Sequence, residues 1–207
     1  MRVAVIGAGN VGRAVGERWL AKGHQVVYGV RDPSKSGDRQ RFQTVRSAAA
    51  EAEVVLLAVM FHAVEAALKD CGDLHGKILI DPTNPLAPDE GGLKLSLGFT
   101  TSSAEFIAER TDAKVVKSLN QVGAAVLGNA EAYATRPLQF VAGDDVQAKA
   151  TVRGLVEQLG FEVLDAGPLR AARLLEPFAM VWIDQSMRHG MDPTRAWAFV
   201  NSRRTAG

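Results

Sequence analysis

The chain has 207 residues and a net charge of +1, with 24 Lys and Arg against 23 Asp and Glu and 47% apolar side chains. That balance fits one globular unit with a packed core and gives no long-range field for nucleic acid or an anionic membrane, so an anion must be held by a local site. A single cysteine, Cys71, excludes an internal disulfide framework and a Cys-rich zinc site, and no apolar run approaches the ~20 residues of a membrane span.

Val3-Ala4-Val5-Ile6 is a short apolar run that stops at Gly7, a strand rather than the apolar core of a secretory signal, so a cytoplasmic protein is expected. Residues 11–21 read as a helix with Val11, Val15, Trp19 and Leu20 near one face, and residues 25–28 as a second strand. Residues 54–59 are apolar throughout, the pattern of a central parallel strand covered on both faces. Further strands are predicted over 77–81, 114–117, 138–142 and 161–164, and helices over 62–70, 104–110 and 147–159. The stretch 81–103 is rich in Pro and Gly and too long for an ordinary connection, so it is expected to form a binding loop. Beyond Leu169, a run including Leu174, Leu175, Phe178, Val181, Trp182 and Met187 predicts a helix apolar on more than one side, which must bury itself on the sheet, on a second subunit, or on both.

Alternating strands and helices predict an α/β fold, a Rossmann-type doubly wound, mostly parallel sheet with a C-terminal helical extension. Residues 1–167 are expected to form the dinucleotide-binding domain, and 168–207 a helical segment packed on it and on a second subunit. The motif that carries this is Gly7-Ala8-Gly9-Asn10-Val11-Gly12, a G-x-G-x-x-G turn between a predicted strand and a predicted helix. Gly7 permits the tight turn, Gly9 lets the backbone approach a pyrophosphate, and Gly12 lets the helix pack close to the strand. The helix N-terminus then supplies the local anion site.

Arg31, at the end of the second strand, stands where a guanidinium meets a ribose 2′-phosphate, and Lys35 follows within reach, so NADP(H) is expected. Asp32 would instead serve a ribose hydroxyl of NAD if the strand ended one or two residues later. In such sheets ligands lie beyond the carboxyl ends of the strands. His62 falls there beside the expected cofactor, and Asn84, Pro85 and Asn120 fall where a second substrate would bind. These ends carry amides, hydroxyls and apolar groups, without paired carboxylates or metal-ligand spacing. No catalytic side chain and no metal are expected, which suits hydride transfer between cofactor-borne rings. Cys71 has no His beside it in sequence and is expected to be inert.

These residues resemble the family of NADP oxidoreductases dependent on the deazaflavin coenzyme F(420). The resemblance runs in order through the 7–12 turn, Gly29-Val30-Arg31, residues 81–85 and 114–121, Ala142-Gly143-Asp144-Asp145, Asp165-Ala166-Gly167-Pro168-Leu169 and Arg173-Leu174-Leu175-Glu176. It departs at Val30, where members often have a small hydroxyl residue, at Asn120, where His is common, and after His189. The resemblance implies hydride transfer between NADP(H) and the deazaflavin in a homodimer, with Gly9, Asn10, Val11, Arg31, Lys35, Val59 and the Gly123-Ala124 region in contact with NADP. Two other readings stay open, a flavin or ferric reductase using the same NADPH half and a non-catalytic NADPH sensor. Imine and β-hydroxyacid reductases, which usually carry a large helical dimer domain, are disfavoured by the few residues after Leu169.

Overall fold

The four residues of strand β1 (Arg2–Ile6) after Arg2 are buried, and they alternate: Val3 and Val5 join the core on one side of the sheet, Ala4 and Ile6 the core on the other. Strand β4 (Val54–Leu57) does the same with all of its residues fully buried. An unbroken apolar run is what a strand with two covered faces requires. The structure, a computed structural model, describes residues 1–36, 38 and 40–200, so positions 201–207 of the expected C-terminal segment lie outside the described residues.

The other strands are β2 (Gln25–Val30), β3 (Phe42–Thr44), β5 (Ile78–Asp81), β6 (Leu86–Asp89), β7 (Gly92–Leu95), β8 (Lys114–Lys117), β9 (Leu138–Gly143) and β10 (Glu162–Gly167). Eight of the strands form one sheet in the order β10-β9-β8-β5-β4-β1-β2-β3. Neighbours are parallel except β8 and β9. The connection between those two holds a helix of only four residues, Ala124–Leu127, too short to carry the chain back along the sheet as a parallel crossover demands.

Helices cover both faces. In chain order they are α1 (Asn10–Ala21), α2 (Val45–Ala50), α3 (Val64–Cys71), α4 (Ser103–Ala108), α5 (Ala124–Leu127), α6 (Val146–Glu157) and α7 (Ala172–Arg188). Buried residues of α1, α5 and α6 share one core, in which the Trp19 indole donates to the Leu155 carbonyl at 2.9 Å, while α2, α3 and α4 contribute to the other. The predicted helix start at His62 is a 3-10 turn, Phe61–Ala63, with α3 proper beginning at Val64.

Two stretches take a more definite form than their composition predicts. The stretch 81–103 is not an irregular loop: β6 and β7 form an antiparallel hairpin inside it, with the Asp89↔Gly92 pair closing the turn. Pro88 is tolerated there because this two-stranded ribbon is all edge. The apolar run after Leu169 divides its faces: Leu175, Ala179 and Trp182 are buried, whereas Leu174, Val181 and Met187 are exposed at 73%, 51% and 67%. Beyond α7 the chain doubles back, and Arg195 and Trp197 offer carbonyls to the Trp182 indole at 2.8 Å and the Leu138 amide at 2.7 Å.

The strand-to-helix turn leaves no room for side chains. A Cβ on Gly12 would lie 2.1 Å from the Gly7 carbonyl oxygen, and Gly7 itself has φ +100 with its missing Cβ 2.4 Å from the Ala58 carbonyl oxygen. Gly12→Ala is therefore expected to destabilise the fold by about 3 kcal/mol or more, at the upper end for overpacking because the obstacle is backbone. Urea unfolding of the variant, with an unchanged m-value, checks this.

Candidate functional site

A crevice of about 880 Å³ opens at the carboxyl ends of β1, β2 and β4, where the strand order reverses, and its lining includes Gly7, Ala8, Arg31, Lys35, Val59 and His62. Reversal points are where open α/β sheets hold their ligands, because loops from neighbouring strands diverge there. Gly9 stands at its rim in open space, with nothing within 4 Å of where a Cβ would sit. It begins α1 without a side-chain cap, so the first-turn amides of Asn10, Val11 and Gly12 are left for an anion or water. Steric need thus explains Gly7 and Gly12 but not Gly9, whose bareness fits a pyrophosphate drawn close to the backbone.

Strand β2 continues to Val30, two residues beyond its predicted end at Tyr28, the condition under which Asp32 would reach the ribose; Arg31 is nevertheless the first residue past the strand, and the Asp32 side chain is otherwise occupied. The Asp32 carboxylate is engaged locally. It accepts from the Ser34 amide at 3.1 Å and hydroxyl at 2.5 Å and pairs with Lys35 at 3.4 Å. These contacts, the Ser34 hydroxyl first, hold its carboxyl below the usual range. Arg31 is exposed and has no hydrogen bond or ion pair with the described residues. A free guanidinium beside a lysine suits a phosphate monoester better than a ribose hydroxyl.

Gly123 and Ala124 do not line this crevice. They open α5, whose Gly128 lies against Ala14 of α1, and a Cβ on Gly123 would lie 2.6 Å from the Trp182 ring. Asn84, Pro85 and Asn120 gather further along the same edge, after β5 and β8. The Asn84 amide donates to the Asn120 carbonyl at 3.0 Å, and the Asn120 amide donates to Asn84 Oδ1 at 3.0 Å and to the Leu175 carbonyl at 3.2 Å. Asn120 is buried with both amide hydrogens used, and Pro85 is buried with its carbonyl accepting from Ser96, so Asn84 is the half-exposed member of the three.

Sequence reasoning missed the group beneath them. Lys117 is fully buried; its ammonium donates to Asp81 Oδ2 and Ser103 Oγ, each at 2.9 Å, and to the Thr83 carbonyl, and it is ion-paired with Glu176 Oε1 at 2.9 Å. The expectation of no paired carboxylates is corrected here, since α7 brings Glu176 to Asp81 from far along the chain. The available signal was charge in apolar surroundings: a lysine closing a buried strand and a glutamate on the apolar side of α7. Leu119, just after Lys117, holds φ at +62, strain of about 1 to 3 kcal/mol that collects at functional segments. Cys71 is buried in α3, and burial pushes its thiol up to about 11. Among the described residues no cluster of His, Cys, Asp and Glu could hold a metal ion, and no helix is long and apolar enough to cross a membrane.

Comparison with known proteins gives four findings. Residues 2–85 match the family described as NADP oxidoreductase, coenzyme F(420)-dependent. The crystal structure of a candidate F(420)-dependent NADP-reductase from Arthrobacter sp. FB24 is 32% identical, with a TM-score of 0.88 over 97% of this chain and 100% of that one. Metalloreductase STEAP3 of Rattus norvegicus is 30% identical over 182 residues, which span 84% of this chain but only 36% of that protein's length. An imine reductase from Myxococcus stipitatus shares the fold alone, at 17% identity and a TM-score of 0.67.

Helices α4 and α7 meet in a two-pronged pair, Arg173 Nε to Glu105 Oε2 at 2.8 Å and Nη2 to Oε1 at 2.6 Å. The Arg173 guanidinium, aided by the Ser102 hydroxyl, holds the Glu105 carboxyl below its ordinary 4.5. A depressed folded value means the pair stabilises the protein fully above that range and is lost as pH falls through the depressed value. Glu105→Gln is expected to cost about 1 kcal/mol at pH 7, the scale of a partly exposed pair, and the gap to wild type should close below pH 4.5. Thermal melts of both proteins from pH 7 to 3 check this.

Proposed function

The chain belongs to the family of coenzyme F(420)-dependent NADP oxidoreductases, and on that footing we propose that it transfers hydride between NADP(H) and a deazaflavin or related flavin-like acceptor. The observation that carries the cofactor half is the pairing of open space at Gly9 with an exposed Arg31 that has no partner among the described residues, at the next strand end. Gly7, Ala8, Gly9, Asn10, Val11 and Gly12 would hold the pyrophosphate, Arg31 and Lys35 the 2′-phosphate, and Val59 and His62 the far wall of the crevice. The Gly123-Ala124 turn lies outside this crevice, against Trp182, and would meet the dinucleotide only where it extends past the crevice.

Bound NADPH supplies a hydride to a ring laid against it, so the protein needs no general base. Its residues bind, orient and shield: the strand ends fix the two ring sites side by side, and the apolar lining excludes water from the transfer. Asn84, Pro85 and Asn120 would form the acceptor side, Asn84 by direct contact and the other two by holding it in place. Helix α7 and the segment that returns after it, as far as residue 200, would form the extension that docks on the sheet domain, and the exposed Leu174, Val181 and Met187 would meet a second copy in a cytoplasmic homodimer. A ferric or flavin acceptor is the second reading, favoured by the relation to a metalloreductase.

Purified protein mixed with NADPH, or separately NADH, should bleach the deazaflavin rapidly with NADPH alone; FMN and ferric citrate test the second reading. Tight NADPH binding with silence toward every acceptor would overturn the enzyme reading in favour of a sensor. Arg31→Ala should weaken NADPH by about 1.5 to 3 kcal/mol, roughly 10- to 150-fold in Kd, and leave NADH nearly unchanged. Equal weakening of both cofactors by titration would return the ribose contact to Asp32.

A further inference from the structure

Segment 82–102, which carries Asn84, Pro85 and the β6–β7 hairpin, is held at three points. One foot is the 81–83 turn, where Asp81 Oδ1 accepts the Thr83 amide at 2.8 Å and the Lys117 ammonium takes Asp81 Oδ2 and the Thr83 carbonyl. The other foot is Ser103, whose amide donates to both Glu176 oxygens at 3.0 Å and whose hydroxyl lies within reach of Lys117, Asp81 and Glu176. The tip is fixed from the last turn of α7, where Arg188 donates to the Gly91 and Glu90 carbonyls at 2.7 and 3.1 Å.

The ammonium, with three hydrogens, is met by four oxygens from β5, the 81–83 turn, α4 and α7. A charge sealed from water tolerates few alternative arrangements, so such a group specifies position more than it adds stability. Adjacent residues of α7 serve both feet of the site: Glu176 takes Lys117, and the Leu175 carbonyl takes Asn120, which in turn holds Asn84. None of Asp81, Thr83, Ser103, Lys117 or Glu176 lines the crevice beside Arg31.

We propose that Lys117, through Asp81, Ser103 and Glu176, is a positioning residue for the second substrate: it sets where segment 82–102 presents Asn84 at the ends of β5 and β8, without acting on the dinucleotide side. This rests on the reading that an acceptor ring binds at those strand ends. It makes α7 a clamp on the acceptor side of the molecule, gripping the segment at foot and tip together.

The test is Glu176→Gln, which keeps a carbonyl oxygen for Lys117 while removing the charge, with Arg188→Ala as a surface variant that frees the tip without entering the core. Steady-state kinetics with whichever of the deazaflavin, FMN or ferric citrate the wild type reduces should show KM for that acceptor raised at least tenfold in Glu176→Gln and severalfold in Arg188→Ala, with NADPH Kd within twofold of wild type. Hydrogen exchange should quicken in peptides covering 82–103 and 117–121 and stay unchanged in 2–21. A folded Glu176→Gln with unaltered acceptor KM and unaltered exchange overturns the proposal, as does a parallel loss of NADPH affinity, which marks general loosening. If Glu176→Gln fails to fold, Arg188→Ala decides by the same measures. If wild type reduces no acceptor, the functional reading has failed, and the exchange pattern decides: quickening confined to 82–103 and 117–121 sustains the clamp, and uniform or absent change overturns it.

Discussion

The first turn of α1 rests on the peptide that ends β1. Gly12 sits so near the Gly7 carbonyl that a methyl group cannot enter, and Gly7 sits equally near the Ala58 carbonyl at the end of β4. Three consecutive pieces of the sheet's central machinery are thereby drawn into contact at one spot, and the crevice lies where they separate again. Everything on the dinucleotide side follows from that closeness: a helix axis aimed at the rim, amides without a cap, and a bare Gly9 between them.

The acceptor side is built on a different principle. There, glycine and close backbone contact give way to buried charge, with Lys117 joining elements that are far apart in sequence and Leu119 holding an unfavourable backbone angle to turn the chain toward Asn120. The two halves share the sheet and both of its cores, but the polar groups that shape each site are separate, since none of Asp81, Ser103, Lys117 or Glu176 lines the crevice, so a chain of this kind can keep its dinucleotide half while its acceptor half diverges. That fits relatives with one fold and different named substrates, a deazaflavin-dependent reductase and a metalloreductase among them.

Most of the sheet was legible because periodicity is local. The 114–117 strand coincides with its predicted bounds, and β1, β4, β5 and β9 differ by a residue or two at an end. Short elements left no trace: β3 has three residues and α2 and α5 only six and four, below the length at which a period shows. The hairpin was hidden by its own composition, since Pro and Gly read as loop whether or not strands form between them. In the site, the glycine turn and Arg31 could be read from position alone. The Lys117 group could not, because Ser103 and Glu176 stand 73 residues apart and nothing local marks the pair. Nor does position show that the Asn120 amide hydrogens go to Asn84 and the Leu175 carbonyl, partners that only the fold brings near.

The segment that returns after α7 has a kinetic meaning. Only Ala142 and Gly143 of β9 pair with β8, so the start of β9 lacks a neighbour on that side. Side chains and the returning segment stand in: Gln121 Oε1 accepts the Phe140 amide at 3.2 Å, Ser118 donates to the Phe140 carbonyl at 2.8 Å, and Trp197 offers its carbonyl to Leu138. The same segment meets the Tyr133 hydroxyl at Thr194, a sequence separation of 61. Contacts that span so much chain form late, because the loop must close before any of them is made. The seam along β9 is therefore expected to be the last part of the sheet to close during folding and the first to open, a breathing edge on a molecule whose centre is sealed on both faces.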